Sequence, residues 1–250
     1  MKYDLTFDPP IMNAAGSLGF APDNRAAIEW SGMGAFVTNP ISISARTPSH
    51  GKRFITFPGG FLFHTGYPNP GFSKVLRKYA RRWNRSSIGV IVHMLARSAE
   101  ELEKMARHLE SVEGVNGLEV GIDDQANASM VSEFTQASCG ELPVIVRLPI
   151  GHSVELAASA MQAGALAISL APPRGTMPVS DTEFVQGRLY GPAILPMALK
   201  IVHELSQLGL PVIGAGGIYS REHVNAMLSA GAMAVQLDSV LWRDSGRMIF

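Results

Sequence analysis

Eight short apolar runs, alternating with segments of helical periodicity, constrain the fold of this 250-residue chain more than any other feature. The runs are apolar throughout, which is typical of parallel strands that are covered on both sides. This alternation, at about 250 residues, predicts an α/β fold, a (β/α)8 TIM barrel formed by one domain over residues 1–250. The predicted strands are residues 11–14, 35–39, 90–94, 118–120, 144–148, 167–170, 212–215 and 234–237, and the predicted helices are 23–31, 71–84, 98–112, 124–138, 153–163, 191–208 and 220–230. An eighth helix is short or missing, because only eleven residues follow Ser239.

One insertion, residues 40–70, interrupts the alternation after the second strand. It contains two apolar segments, 54–57 and 61–63, joined by Pro58, Gly59 and Gly60. Such a pattern predicts a β-hairpin. A segment that follows a barrel strand lies at the carboxyl-terminal face, so we expect this hairpin to form a lid or wall over the site.

The composition excludes several classes of partner. The chain has 21 basic and 21 acidic residues, so no excess charge favours nucleic acid or an anionic membrane. No apolar run reaches the roughly 18 residues of a transmembrane helix, and the N-terminal residues lack the apolar core of a signal peptide. Cys139 is the only cysteine, which excludes an internal disulfide, and no histidine pair has zinc-motif spacing. We therefore expect a cytoplasmic protein without a metal site.

A glycine-rich turn ends the predicted seventh strand. Gly216 and Gly217 follow an apolar run, and Ser220 is a good N-cap for the helix after it. The ends of the last two strands, at Gly217 and Ser239, form a candidate phosphate cradle, because small residues leave backbone N–H groups accessible. The alternative is that the glycines serve only the turn.

The ends of the other strands carry polar residues, and in a barrel such positions form the active site. Glu119 and Arg147 end neighbouring strands and form either a buried ion pair or a site where Arg147 faces a ligand anion. His93 is a candidate acid or base, or a structural hydrogen-bond donor. Asp123 and Asp124 are candidate bases or a helix cap.

Several segments together resemble the dihydroorotate dehydrogenase family, especially its soluble class 1 members. Residues 11–16 (IMNAAG) resemble the family's opening strand, and residues 67–71 (YPNPG) resemble its substrate loop. Residues 191–194 (GPAI) match the segment before the seventh helix, and residues 214–218 (GAGGI) resemble the phosphate loop. The similarity is collinear over nearly the whole chain.

The resemblance implies FMN at the barrel mouth, with its phosphate in the cradle, and a pyrimidine-type small-molecule substrate. It also implies a homodimer and a role in pyrimidine biosynthesis. Asn69 is the implied substrate-binding residue. The implied cofactor-binding residues are Ala14, Ala15, Gly16, Asn39, Arg147, Gly191, Gly216, Gly217 and Ser239.

The chain also departs from the family at catalytic positions. The lysine that ends strand 2 is replaced by Asn39, the proton-abstracting Cys or Ser by Ile122, and the strand-5 lysine by Arg147. The Asn–Thr/Ser pair after strand 6 is Pro172-Pro173, and Asp238-Ser239 replaces the final Gly–Thr/Ser. Loss of a general base costs about 10²–10⁴-fold in rate.

These departures set the expected roles of the charged residues. Arg147 keeps a positive charge that stabilises the reduced flavin, and Asp123 or Asp124 becomes the replacement base. Asp238 places a carboxylate beside the phosphate site, which argues against FMN because like charges repel.

The sequence thus predicts a divergent, dihydroorotate dehydrogenase-like, FMN-dependent oxidoreductase. One alternative is a catalytically inactive TIM barrel that binds a phosphate-bearing metabolite or a protein partner. Another is an isomerase or lyase that uses His93 and Glu119 on a phosphorylated sugar or an amino-acid precursor.

Overall fold

The computed structural model of the protein describes residues 5–23 and 28–242. Its strands are β1 (Ile11–Asn13), β2 (Ala35–Val37), β3 (Phe54–Phe57), β4 (Gly60–Phe63), β5 (Gly89–Met94), β6 (Val115–Gly121), β7 (Val144–Pro149), β8 (Ala167–Ala171), β9 (Arg174–Pro178), β10 (Phe184–Tyr190), β11 (Val212–Ala215) and β12 (Ala234–Leu237). Its helices are α1 (Phe72–Asn84), α2 (Ala99–Glu110), α3 (Ala128–Ser138), α4 (Ser153–Gln162), α5 (Leu195–Gln207) and α6 (Arg221–Ser229).

Eight of the strands close into a barrel in the order β1-β12-β11-β8-β7-β6-β5-β2, and neighbouring strands pair in parallel. These are the eight strands that the sequence predicts, so the (β/α)8 barrel is confirmed. Apolar side chains fill the lower barrel interior: Met12, Ala35, Val37, Ile91, Ile145, Ala167, Ile213 and Ala234. A second, larger apolar core lies between the strands and the surrounding helices.

Alternate residues of a strand point into the barrel. Two positions beyond Ile91 and Ile145, the same faces therefore carry His93 and Arg147 toward the carboxyl-terminal end. Glu119 pairs in register with His93, and Ser169 with Arg147. The upper interior of the barrel is thus polar where the lower interior is apolar.

A second, antiparallel sheet has the order β3-β4-β10-β9. The hairpin β3–β4 is the one that the sequence predicts. The hairpin β9–β10 was not predicted, because its residues are mostly half-exposed or exposed and lack a continuous apolar run. Gly191 joins the two hairpins: its φ is +134°, and a side chain there would meet the backbone of Gly59 and Gly60.

Helix boundaries differ from the predictions by more than two residues in three places. Helix α3 begins at Ala128, because Asn127 and not an aspartate caps it by accepting a hydrogen bond from the Met130 amide. A 3-10 turn, Pro192–Ile194, precedes α5. Another, Trp30–Gly32, occupies part of the first predicted helix, of which residues 24–27 lie outside the description. A 3-10 turn, Ser239–Trp242, follows β12. The rest of the region predicted for a short or missing eighth helix, residues 243–250, lies outside the residues that the structure describes.

Candidate active site at the barrel mouth

A cavity of about 480 Å³ opens at the carboxyl-terminal ends of the barrel strands. Its floor includes His93 of β5, Gly121 of β6 and Arg147 of β7, and its walls include the loop after β1 and the loop after β4. The second sheet contributes Phe63, Gly187, Arg188 and Tyr190, so the predicted wall is present. This volume lies within the roughly 300–1,000 Å³ typical of small-molecule sites.

The charged side chains around this cavity are predominantly basic. Among the described lining residues, Asp123 is the only carboxylate. A cavity lined by one sign of charge concentrates ligands of the opposite sign, so this one favours an anion. The lining arginines are Arg46, Arg97, Arg147, Arg174 and Arg188.

Of these five arginines, Arg147 is the most deeply buried. Its side chain is buried, and one Nη donates a long hydrogen bond of 3.4 Å to the carbonyl of Ala15. Its Nε has no hydrogen-bond partner among the described residues. A buried guanidinium with an unused donor is costly without a ligand, so Arg147 fits an anionic group in the cavity.

Glu119 forms a hydrogen bond with His93 and makes no ion pair with Arg147. The distance from His93 Nδ1 to Glu119 Oε2 is 2.5 Å, and both residues are buried. The other carboxylate oxygen accepts hydrogen bonds from Ser169 (2.7 Å) and Gln236 (2.6 Å). Burial alone raises the pKa of Glu119, but the hydrogen bond and charge of His93, the charge of Arg147 and the Gln236 bond lower that pKa to about 2. Burial lowers the pKa of His93, so the imidazole is neutral at pH 7.

The two candidate aspartates lie in different environments. Asp123 is exposed at the cavity edge, and its side chain accepts a hydrogen bond from the Gln125 amide. Asp124 is mostly buried and binds Arg188 through both carboxylate oxygens, with Arg174 at 3.5 Å. Asp124 therefore serves as an ion-pair partner in this structure.

The loop after β1 carries three of the predicted cofactor-binding residues, and two of them lie at the cavity. Ala15 and Gly16 line the cavity, whereas Ala14 is buried beneath them. Asn39 lies outside the cavity lining and pairs with Gly19 through its backbone N–H (2.6 Å) and its side-chain oxygen (3.0 Å). Asn39 thus holds the loop after β1 against the end of β2.

Asn69 is also used inside its own loop. Its side-chain oxygen accepts from the Gly71 amide at 3.0 Å, and its amide nitrogen donates to Ser42 (3.0 Å) and to the Tyr67 carbonyl (3.2 Å). It is buried and does not line the cavity. The structure therefore does not bring Asn69 together with Arg147.

The candidate phosphate cradle has two different halves. In the first half, Gly216 and Gly217 have φ values of +104° and +72°, and their N–H groups and that of Ile218 have no partner among the described residues. A side chain at Gly217 would overlap the backbone of Leu195, so packing on α5 also requires this glycine. In the second half, Asp238 is buried and accepts hydrogen bonds from the amide (2.5 Å) and hydroxyl (3.0 Å) of Ser239.

The Ser239 hydroxyl also contacts the Tyr219 hydroxyl at 2.8 Å. Burial raises the pKa of Asp238, and the bonds from Ser239 and the charge of Arg147 only partly oppose this shift. The carboxylate thus folds back onto its neighbour Ser239. None of Gly216, Gly217 and Ser239 lines the cavity as it stands.

An aromatic cluster, which sequence reasoning missed, covers the cavity on the side of the second sheet. Tyr190 stacks on Phe61 at 5.5 Å between ring centroids, and Trp242 contacts Phe61, Phe63 and Tyr190 at 5.6–6.1 Å. Trp242 also donates to the Ser17 carbonyl. Burial raises the pKa of Tyr190, which keeps its hydroxyl neutral. The only signal in the sequence was the aromatic residue before Gly191, where the resembling family segment has serine.

A closed parallel barrel with a charged cavity at its carboxyl-terminal face defines a (β/α)8-barrel protein that binds a small molecule. The chain belongs to the dihydroorotate dehydrogenase family, because the family model "Dihydroorotate dehydrogenase" matches residues 2–249.

Curated relatives carry the name "Dihydroorotate dehydrogenase B (NAD(+)), catalytic subunit". One from Desulforudis audaxviator is 29% identical over 255 residues, covering 92% of this chain and 82% of the relative. Another, from Maridesulfovibrio salexigens, is 30% identical over 256 residues, covering 93% and 84%. The similarity extends over most of both chains, in agreement with the resemblance seen in the sequence.

Two further features are missing from the described residues 5–23 and 28–242. None of the helices there has the length and apolar character needed to span a membrane. In the same ranges, no cluster of three or more His, Cys, Asp or Glu side chains is arranged to hold a metal ion.

Proposed function

We propose that this protein is an FMN-dependent oxidoreductase of the dihydroorotate dehydrogenase type that acts on a small planar anion of the pyrimidine class. The observation that carries the proposal is Arg147, whose buried guanidinium has an unused Nε donor at the cavity floor. Family membership supplies the reaction class, and the five lining arginines supply the charge that an anionic substrate needs. The altered catalytic positions make the protein a divergent member of the family.

The residues present fit FMN in most of the expected places. The N–H groups of Gly216, Gly217 and Ile218, which have no partner in the described part of the chain, suit phosphate oxygens, because successive free N–H groups form an anion-binding concavity. Asp238 opposes a phosphate less than its charge suggests, since its carboxylate accepts hydrogen bonds from the amide and hydroxyl of Ser239. Because neither Gly216 nor Gly217 lines the cavity, a phosphate bound there would require a local movement of the surrounding residues.

When bound, FMN would serve as the hydride acceptor. The residues that would hold it at the mouth are Ala14, Ala15, Gly16, Arg147 and Gly191, with Gly216, Gly217 and Ser239 at the phosphate and Asn39 supporting the loop. Within this arrangement the guanidinium of Arg147 would pair with the negative charge of the bound ligand. The aromatic residues Tyr190 and Trp242 form part of the cavity wall.

The side-chain amide of Asn69 is already hydrogen-bonded to Ser42, Tyr67 and Gly71. Asn69 would therefore contribute to substrate binding by holding its loop in place. Asp123 stays the freer of the two aspartates, since Asp124 is held by Arg188. We further infer a cytoplasmic, single-domain protein that forms a homodimer and takes part in pyrimidine biosynthesis. The zero net charge of the chain accords with partners that are small molecules and not nucleic acid.

The second candidate is a catalytically inactive barrel that binds a phosphate-bearing metabolite. Ile122 favours it: the side chain at the family's base position is a buried aliphatic group on the cavity wall, and it cannot take a proton. A thermal-shift panel of phosphorylated compounds tests this candidate. Stabilisation by FMN alone, followed by turnover of dihydroorotate, contradicts it.

The test of the proposed function is the visible absorption spectrum of the purified protein before and after addition of FMN, followed by an assay with dihydroorotate. We expect a flavin spectrum and slow oxidation. Arg147→Met is expected to lower turnover by about 10²–10³-fold, because a positioned cation stabilises developing negative charge. Arg107→Met, at an exposed arginine of α2 outside the cavity lining, is the matched control. A colourless protein that takes up no FMN overturns the proposal.

A further inference from the structure

We propose that His93, held in place by Glu119, is the base that removes a proton from a substrate carbon next to a carbonyl group. This inference rests on the proposed function, in which an anionic substrate lies at Arg147. It assigns the proton-transfer role, which Ile122 cannot perform, to a residue one strand away.

The first step of the argument is the orientation of the imidazole. His93 Nδ1 lies 2.5 Å from Glu119 Oε2, and the backbone N–H of His93 donates to the Thr38 hydroxyl at 3.0 Å. Glu119 is itself fixed by Ser169 and Gln236, which both contact its other oxygen. Since an ionised carboxylate only accepts hydrogen bonds, Nδ1 must carry the proton in the neutral ring. Nε2 is then the basic nitrogen.

The second step is the space around Nε2. His93 lines the cavity, and the residue beside Nε2 on the neighbouring strand is Gly121. A β-carbon at Gly121 would lie 2.8 Å from Nε2 and 2.7 Å from a methyl group of Leu95. Among the described residues no hydrogen bond to Nε2 is found. The missing side chain at Gly121 therefore leaves the basic nitrogen open toward the cavity.

The third step is the chemistry that the neighbours allow. The carbon–hydrogen bond breaks, the proton passes to Nε2, and the bonding pair stays on the substrate as an enolate. The imidazolium that forms is stabilised by Glu119, as a carboxylate behind a histidine does in other enzymes. The negative charge that develops on the substrate pairs with Arg147, which is close enough to lower the pKa of both His93 and Glu119.

The alternative bases are less suited to the role. Asp124 is neutralised by the two-point ion pair with Arg188. Asp123 is exposed to solvent and accepts a hydrogen bond from the Gln125 amide. His93 differs from both because it is buried at the cavity floor and is neutral at pH 7.

The test follows exchange of the hydrogens next to the ring carbonyl of dihydroorotate in D2O by proton NMR. This exchange needs no electron acceptor. We expect wild-type protein to catalyse it and His93→Gln to lose about 10²–10⁴-fold. His152→Gln, at a solvent-exposed histidine, is the matched control. Glu119→Gln should retain part of the rate and shift the pH profile, which a purely structural role for Glu119 would not do.

The charged groups that face His93 are Glu119 on β6 and Arg147 on β7, with Asp123 and Arg97 elsewhere on the cavity wall. The exchange rate should therefore rise with pH through one ionisation below the usual histidine pKa of 6.5. Exchange by His93→Gln at the wild-type rate overturns the inference, and so does absence of exchange by the wild-type protein.

A second measurement needs neither substrate nor FMN. Nitrogen-15 NMR of histidine-labelled protein should show His93 protonated at Nδ1 and unprotonated at Nε2 at pH 7. The opposite tautomer contradicts the inference. The proposed function is judged separately by the absorption spectrum, so FMN binding with an inactive Nε2 would retain the function and reject His93 as the base.

Discussion

Arg188 of β10 holds Asp124, which follows β6, through two hydrogen bonds of 2.8 Å each. A third nitrogen-to-oxygen contact, of 2.8 Å, joins Arg188 to the carbonyl of Pro172. The pair thereby ties the second sheet to the mouth of the barrel. Both side chains are mostly buried, so this link fixes the second sheet beside the cavity that His93 and Arg147 line.

Substitution of Asp124 should therefore loosen the wall. Asp124→Asn is expected to lower the free energy of unfolding by about 1–3 kcal/mol, because it leaves a buried guanidinium without its charged partner. Urea unfolding at pH 7 measures the change. Asp123→Asn, at an exposed neighbour, should have no comparable effect; equal losses for the two variants would mean that the Arg188 pair contributes nothing.

Asp238 should control the affinity for phosphate-bearing ligands. Asp238→Asn keeps an oxygen that accepts from Ser239 but removes the negative charge. We expect FMN to bind about tenfold more tightly, since a like charge at about 4 Å costs about 1–4 kcal/mol. Fluorescence titration measures this, with Asp181→Asn as the exposed control. Weaker binding by Asp238→Asn would show that the carboxylate helps to hold the ligand.

The same substitution has a predicted effect on stability. The folded pKa of Asp238 is raised by burial, so the folded state prefers the protonated carboxyl. The charged form therefore destabilises the fold above that pKa, and stability recovers as the pH falls toward the unfolded value of 3.8. Asp238→Asn should remove the penalty and raise the unfolding free energy at pH 7 without raising it at pH 3.

The His93–Glu119 pair should make the protein sensitive to acid. Glu119 has a folded pKa of about 2 against 4.5 when unfolded, so its contribution to stability is complete above pH 4.5 and is lost as the pH falls toward 2. The lowered pKa of His93 acts in the same direction, beginning below pH 6.5. Denaturant unfolding from pH 7 to pH 2 should show this slope, and it should be shallower in Glu119→Gln. Equal slopes would contradict the assignment of an ionised Glu119.

Gly121 provides a steric test of the cavity floor. Gly121→Ala would place a methyl group 2.8 Å from His93 Nε2, so it should reduce proton exchange on dihydroorotate strongly. Gly89→Ala, on the strand of His93, is the control, because its methyl group would meet neighbours only at ordinary distances of 3.5–3.6 Å. NMR exchange rates for the two variants measure the effect. Unimpaired exchange by Gly121→Ala would mean that substrate does not approach Nε2.

The eight barrel strands were predictable because each is a continuous apolar run between helical segments. The hairpin β9–β10 was not, because its strands alternate exposed and half-buried residues and carry no such run. The hairpin β3–β4 could be found from its two aromatic segments around Pro58 and Gly59.

The contents of the site were harder to predict, because the stagger between parallel strands decides which side chains meet. Glu119 lies opposite Ile145 on β7, whereas Arg147 lies opposite Gly121. Glu119 consequently contacts His93 on β5, the strand on its other side. The sequence alone does not indicate whether Glu119 pairs with His93 or with Arg147. Polar residues that support loops, such as Asn39 and Asn69, were likewise indistinguishable from ligand-binding residues until their partners were seen.

The most direct test of the proposed function is anaerobic addition of dihydroorotate to the protein reconstituted with FMN, followed by visible absorption. We expect the flavin absorption to be lost and orotate to appear in equal amount. Arg147→Met, with the same FMN content, should bleach much more slowly. Retention of the full flavin spectrum after addition of dihydroorotate, or failure of the protein to take up FMN, would contradict the proposed function.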